Sequence, residues 1–561
     1  MRRYWRLAAG SLRSGGGTLG RTCPRPAGVP FDRPLLYSGA HAARSRPGRG
    51  PACRPQPFPP DAKSAGPPAE RLLGQHRGPL FFPVQVPPFG PRRVPIQNSK
   101  RMEEVAMAQA GQQRVIRDSV IVGLAMFAVF FGAGNLIFPP QIGFLAGDGW
   151  SAALTGLLIT GMVLPVLSVV ALGLRGGTVE RLCAPIAPWF GSALLFVTML
   201  GLAWLIAVPR TASVAFETGF RTLAPALEPK LGIWVFVPLF FVVSTYFALD
   251  RSRVIDRIGR VLTPLLLGLL GIIVIWSVLS PLGVPADTGE AAPFRLGLLT
   301  GYQTGDVFGG IMFGIIFIEA FRDRGYTPGP RYTGALWGMA LVTFLGLFFV
   351  YGGLEYLGAT GSGVLGSDVP QAGLLTALVG QLAGKVGANT LAVAVLLACL
   401  TTAVGATAVL GEYIQKWSRG RVSYKAGVLA VSLTSLVQAF GGVDYIVALA
   451  EPIFLLLYPV GIAIVILGLL PRAWLNDGVW KGATILAIVM GVYDLVASLA
   501  GKMGGTMPQA LRQMHDTIPL SSAGFAWLLP TLAGGLVGGL LWKLSGQPNT
   551  GCAEAKGLPA E

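Results

Sequence analysis

The run FGAGNLIFPP, Phe131 to Pro140, places two glycines, an asparagine and a proline pair inside an otherwise apolar stretch. Gly132 and Gly134 weaken a helix, and Pro139 and Pro140 each remove an amide donor, so backbone groups nearby are expected to leave the helical ladder. Irregular backbone at membrane depth is tolerated where it lines an enclosed cavity or binds something. A GxG pattern also marks plain close contact between helices. Asn135 adds a side-chain oxygen beside the released carbonyls, a hard-oxygen setting suited to a small alkali cation. A second glycine-interrupted stretch, DVFGGIMFG from Asp306 to Gly314, is expected to break its span as well.

Ionisable groups inside apolar spans are functional candidates. Arg210 and Glu217 stand seven apart, which on a regular helix is one face, and are expected to pair. Glu319, Glu451 and Asp494 fall within or at the ends of apolar windows, and the sequence does not say which of them carries a proton. Five dispersed cysteines (Cys23, Cys53, Cys183, Cys399, Cys552) and three dispersed histidines (His41, His76, His515) suggest neither a resident metal site nor a disulfide framework. No HExxH, GxSxG or clustered His/Asp set points to an enzyme, and no cofactor is implied.

The elements that must position these groups are membrane helices. The chain is 52% hydrophobic and 13% charged, with a mean hydropathy of +0.59. Stretches such as Val261 to Leu279 carry no charge over the length that crosses a bilayer. Apolar windows near 116–138, 150–173, 189–214, 232–249, 261–280, 306–320, 332–354, 390–411, 424–440, 444–469, 482–500 and 523–542 give an all-α polytopic protein of about twelve transmembrane helices. With the N-terminus inside, the five cytoplasmic loops hold fifteen Lys/Arg and the six external loops hold six, so both termini are expected in the cytoplasm. The interrupted windows are five helices apart, the offset that an inverted repeat produces.

The formal charge of +17 is mostly an N-terminal effect. Residues 1–100 hold 17 of the 44 basic residues but three of the 27 acidic ones, so the hydrophobic body is close to neutral and no nucleic-acid partner is implied. Residues 1–101 form an Arg/Pro/Gly-rich extension to which no fold is assigned, 102–545 the transporter domain and 546–561 a short tail. The extension is open to three readings: a disordered basic tail, an organellar transit segment, or upstream sequence read from a start codon placed too early, with Met102 and Met107 as later starts.

FFGAGNLIFPPQIG, PRTASVAFETG (Pro209 to Gly219), CLTTAVG (Cys399 to Gly405) and GFAWLLP (Gly524 to Pro530), in that order, resemble the branched-chain amino acid:cation symporter family over about residues 115–542. The resemblance implies a leucine-transporter-like fold of two inverted five-helix repeats plus two peripheral helices. It also implies import of leucine, isoleucine and valine coupled to sodium, or alternatively to protons. Another small neutral solute is the competing substrate class, since architecture is better specified than cargo. For such a substrate, amides at the start of the half-helix following Gly134 are expected to meet the carboxylate, with Gly132, Ala133 and Gly134 in the binding site. Freed carbonyls near Phe131, Gly132, Phe308 and Gly309 would meet the ammonium. Gly310, Phe308, Met312 and Phe313 would border the aliphatic side chain, although aromatic residues in such places are commonly plain packing. By the same resemblance, carbonyls near Ala128 and Phe131 with the hydroxyls of Thr401 and Thr402 form the cation site, and Asn135 is a further ligand. Adjacent membrane threonines also commonly bond back to their own helix. No oligomeric state is implied.

Overall fold

Each of the twelve apolar windows contains helix in a computed structural model, which describes residues 96–132, 135–250, 253–366 and 369–549, with the side chains of 96–111, 250–264 and 372 left aside. The chain divides into two units, Met1–Arg101 and Met102–Glu561, and the apolar windows all lie in the second. Among the described residues, seven helical runs are long and apolar enough to cross a membrane unaided, and Pro293–Tyr302 with Asp306–Arg322 forms a further, bent span. The described residues contain no strand. This is an all-α, multi-pass membrane protein.

The first span is broken. Ile96–Phe130 ends, the chain passes through an irregular turn, and helix resumes at Phe138–Ala146. Pro139 and Pro140 occupy the first turn of that second half, so they start a helix rather than interrupt one, as their missing amides permit there. The sixth span is also broken, but not where the sequence suggested. DVFGGIMFG lies inside an uninterrupted helix, Asp306–Arg322, and the break is the turn Gln303–Gly305 just before it. Gly305 sits at φ 73°, the left-handed region that other residues adopt only with strain. The other half, Pro293–Tyr302, bends by 41° from its continuation and occupies what was expected to be external loop.

Close helix contacts made through glycine hold both broken spans. Gly143 lies against the Glu355 carbonyl and Gly358 against Pro140, joining Phe138–Ala146 to the seventh span, Pro330–Gly361, so that any side chain at either glycine would collide with backbone. Gly297 meets Ala153 in the same way, and Gly310 meets Ser168 and Pro165, fixing the sixth span on the second. Such contacts let dispersion act between backbones where lipid offers no hydrophobic drive.

The second and third spans contain π-helical stretches. Leu158–Val163 and Thr198–Ala207 lie just ahead of Pro165 and Pro209, whose missing amides favour a wider turn, and Ala215–Phe220 follows Val208–Val214. The eighth window lies in Gln371–Trp417, two helices that meet at Gly384, whose φ of 66° and ψ of −171° are non-helical. Two arginine contacts brace the bundle. Arg175 donates to the carbonyls of Leu467, Leu470 and Gly468, satisfying the end of Gly442–Leu469. Asp118 gathers Arg114, Arg117 and Arg324 and accepts a hydrogen bond from Tyr326, tying the first span to the turn after the sixth. Burial and the Asp118 carboxylate raise the Tyr326 phenol above its ordinary range.

Candidate functional site

The two breaks meet. Asn135, from the turn after Ile96–Phe130, donates from Nδ2 to both carboxylate oxygens of Asp306 at 2.9 Å, and Asp306 is the first residue of the helix that follows the second break. Asn135 Oδ1 accepts from Arg210 Nη2 at 3.2 Å, and Arg210 Nη1 donates to the Gln303 carbonyl at 2.8 Å. The amide orientation is dictated by chemistry, because a carboxylate can only accept and a guanidinium can only donate. A neutral side chain therefore bridges a buried guanidinium and a buried carboxyl group. Asn135, Arg210 and Asp306 are 5, 7 and 8% exposed, so this bridge sits inside the bundle.

Local structure explains each position. Asp306 stands where the positive end of a helix favours a carboxylate, and its amide is held by the Thr304 hydroxyl at 3.3 Å. Arg210 follows Pro209 and the π-helical turns before it, and its guanidinium lies 5.3 Å from the centre of the Phe138 ring. The Phe130 carbonyl, released at the end of the first half-helix, accepts from Gly132 N at 2.8 Å, Asn135 Nδ2 at 3.3 Å and Tyr351 Oη at 3.4 Å.

The expected substrate residues divide. Gly132 is half-buried, with open space where a side chain would project, so it is not a helix-contact glycine. Ala133 and Gly134 lie outside the described residues. Gly309 is nearly as open, with the Phe130 ring edge 3.8 Å from where its side chain would begin, whereas Gly310 packs on the second span. Phe308 and Gly309 lie within the continuous helix, so their carbonyls are not released as expected; the carbonyl turned out of the ladder is that of Gln303, which accepts from Arg210, while the Gly305 carbonyl accepts from the amides of Phe308 and Gly309. Phe308 is fully buried, edge-on to Tyr458 at 5.5 Å and pressed on Gly461, which makes its ring packing rather than pocket wall. Met312 and Phe313 are half-buried.

Of the expected cation ligands, Ala128 is half-buried in the last turn of the first half-helix and Phe131 is buried beside Tyr351, ring centres 6.1 Å apart. Thr401 and Thr402 both donate to the Ala398 carbonyl at 2.9 Å, half-buried and exposed respectively. The Asn135 oxygen is turned to Arg210.

Arg210 does not pair with Glu217. Glu217 binds Arg221 at 2.7 Å, one turn on, because it lies in the π-helical stretch Ala215–Phe220, where a spacing of seven no longer returns to the same face. Glu451 pairs with Lys502 at 2.9 Å, Asp494 lies 3.3 Å from His515, and Glu319 is exposed. Among the acids that escape the sequence analysis as charges are Asp306, which falls at a window edge, and Glu355, just past the end of another. An acidic residue within or bordering an apolar window is the signal that identifies both.

The sequence profile described as "Branched-chain amino acid transport protein" matches residues 115–544. The chain is 36% identical over 441 residues to the branched-chain amino acid transport system 2 carrier protein of Pseudomonas aeruginosa, covering 78% of this chain and 98% of that one. It is 33% identical over 430 residues to the branched-chain amino acid permease BraB of Bacillus subtilis (76% and 96%). It is also 33% identical over 423 residues to the permease BrnQ of Escherichia coli K12 (74% and 93%). Among solved structures, the nucleobase-cation-symport-1 transporter Mhp1 is similar at 17% identity and a TM-score of 0.43, over 73% of this chain and 96% of that one. With the profile spanning the whole hydrophobic body and relatives matched almost end to end, the chain belongs to the branched-chain amino acid transport protein family, a family of carriers rather than enzymes.

Proposed function

We propose that this protein is a symporter of a bacterial inner membrane that imports leucine, isoleucine and valine down a cation gradient, with sodium as the coupling ion and both termini in the cytoplasm. The observation that carries this reading is the Arg210–Asn135–Asp306 bridge at the junction of the two breaks. An amino acid brings a carboxylate and an ammonium one carbon apart, and the bridge holds a guanidinium and a carboxylate joined through a neutral amide. A substrate that displaces Asn135 from one or both partners exchanges internal charge-assisted bonds for equivalent ones, so neither charge is left unpaired. The backbone of Gly132, Ala133 and Gly134 would border the headgroup, and the open side of Gly309 with Met312 would border an aliphatic chain.

Sodium would sit among the carbonyls of Ala128 and Phe131 and the hydroxyls of Thr401 and Thr402. Those hydroxyls direct their protons to Ala398, which leaves oxygen lone pairs free to bind a cation. The excess of Lys/Arg in alternate loops supports the orientation. A cation-coupled carrier for another small neutral solute is the competing reading. Uptake of labelled leucine by proteoliposomes under a sodium gradient, and separately under a pH gradient, tests both. Isoleucine and valine should compete and lysine should not, because its second ammonium would enter an apolar site unpaired. Strong competition by lysine, or leucine uptake indifferent to sodium, would overturn the assignment.

A further inference from the structure

The seventh span carries an acid that the bridge does not use. Glu355 is 0% exposed, and neither carboxyl oxygen has a hydrogen-bond donor among the described residues. An ionised carboxylate in that position would have given up its water and gained nothing, whereas a carboxyl carrying a proton is tolerated.

Among the described residues, nothing packed near it supplies a compensating charge. One turn before it, Tyr351 directs its hydroxyl to the Phe130 carbonyl, and Tyr356 stacks edge-on against Trp150. Arg331 and Tyr332 lie at the start of the same helix, more than twenty residues back, roughly 35 Å away along the axis. Phe138–Ala146, which lays Gly143 on the Glu355 carbonyl, contains no ionisable residue, and neither do Trp150–Leu157, Leu158–Val163 or Leu164–Leu174. Asp148, in the turn Gly147–Gly149, is acidic and exposed. Arg253–Leu279 meets this part of the seventh span through Val274 at Gly353, well over a dozen residues beyond Arg253, Asp256, Arg257 and Arg260. Arg114, Arg117 and Asp118 stand near the level where Ser119 meets Ala335, about 30 Å down the helix. On Gln371–Trp417 the contact is Leu378 at Gly361; Lys385 is exposed beyond the Gly384 kink, and Glu412, Tyr413 and Lys416 lie toward its far end.

We propose that Glu355 is a proton-binding site of the transport cycle, distinct from the site at the two breaks. Its carboxyl takes a proton from water when Phe138–Ala146 packs onto the seventh span and returns it when that contact opens. At Gly143 and Gly358 the contact is glycine against backbone, and the turn after Phe130 separates Phe138–Ala146 from the first half of its span. By linkage, acidity on the side to which Glu355 opens favours the packed state.

Wild type, Glu355→Gln and Glu355→Asp, purified whole and reconstituted, provide the test. The infrared carbonyl band of a protonated carboxyl should be present in the wild type at neutral pH and diminished in Glu355→Gln. This readout needs no substrate and so stands apart from the symporter assignment, on which only the transport readout rests. At a fixed sodium gradient, the leucine KM of the wild type should shift with pH, by up to about tenfold per pH unit through the titration. Glu355→Gln, which mimics the protonated acid, should be flat, and Glu355→Asp should titrate at a displaced midpoint. An unchanged carboxyl band in Glu355→Gln, or parallel pH profiles for it and the wild type, would overturn the proposal. If Glu355→Gln fails to insert, a Glu355→Asp profile superimposable on the wild type would do so. A wild type that takes up no leucine but loses the band in Glu355→Gln would instead sink the symporter assignment and leave the proton site standing.

Discussion

Neutralising one end of the Arg210–Asn135–Asp306 bridge should be far more damaging than neutralising both. In Asp306→Asn the guanidinium keeps Gln303 O and Asn135 Oδ1 as acceptors but stays 7% exposed with its counter-charge gone. Breaking a buried pair in this way costs about 3–5 kcal/mol. Arg210→Gln leaves the carboxylate with its two 2.9 Å bonds from Asn135 and no cation, a loss of similar size. The double variant contains only neutral amides, and replacing a whole buried pair is often close to neutral, so a loss of about 0–2 kcal/mol is expected. The coupling energy should therefore be about 4 kcal/mol or more and favour the pair, and equilibrium unfolding of the four proteins in mixed micelles measures it. Leucine uptake should fall in all three variants, because the double variant regains stability without regaining a charge for either end of the substrate. If the two single losses add to the double loss within about 0.5 kcal/mol, the groups are energetically independent and the bridge is a geometric coincidence.

Thr402→Val should raise the sodium concentration for half-maximal leucine uptake, with saturating sodium restoring part of the rate; an unchanged value with less inserted protein would mean that the hydroxyl only serves its own helix. Arg175→Met should lower stability by about 3 kcal/mol in the same unfolding assay, because carbonyls of Leu467, Gly468 and Leu470 lose a charged donor, and Arg175→Lys should recover only part of it, lacking the planar fork. The Cys183 thiol, buried on the loop helix Val179–Cys183 and pushed up to about 12 by burial and the nearby Glu180, should resist maleimide at neutral pH and react once the protein is unfolded; peptide mass spectrometry at that position reads the outcome.

Where the helices run, and that one of them breaks at FGAGN, was readable from local composition, because hydrophobic length and Gly/Pro content act on the backbone within a few residues. The second break was not readable in the same way. Pro293–Tyr302 is ten residues long, too short to span, and carries Arg295, so by itself it resembles loop; only its packing of Gly297 on Ala153 makes it half of a span. The site was legible as far as Asn135 and no further. Its partners stand 75 and 171 residues away, and no local spacing records contacts across such distances. The local inference that was available, Arg210 with Glu217, failed because π-helical turns re-aim side chains, and those turns depend on prolines and neighbouring helices together. For Glu355 the sequence supplied an acid at the edge of an apolar window, but whether it met a cation, water or neither depended on which faces of the surrounding helices closed around it. The one-dimensional pattern determined which segments enter lipid, and the tertiary structure decided which polar groups inside it are satisfied by one another, because that depends on distance in space rather than along the chain.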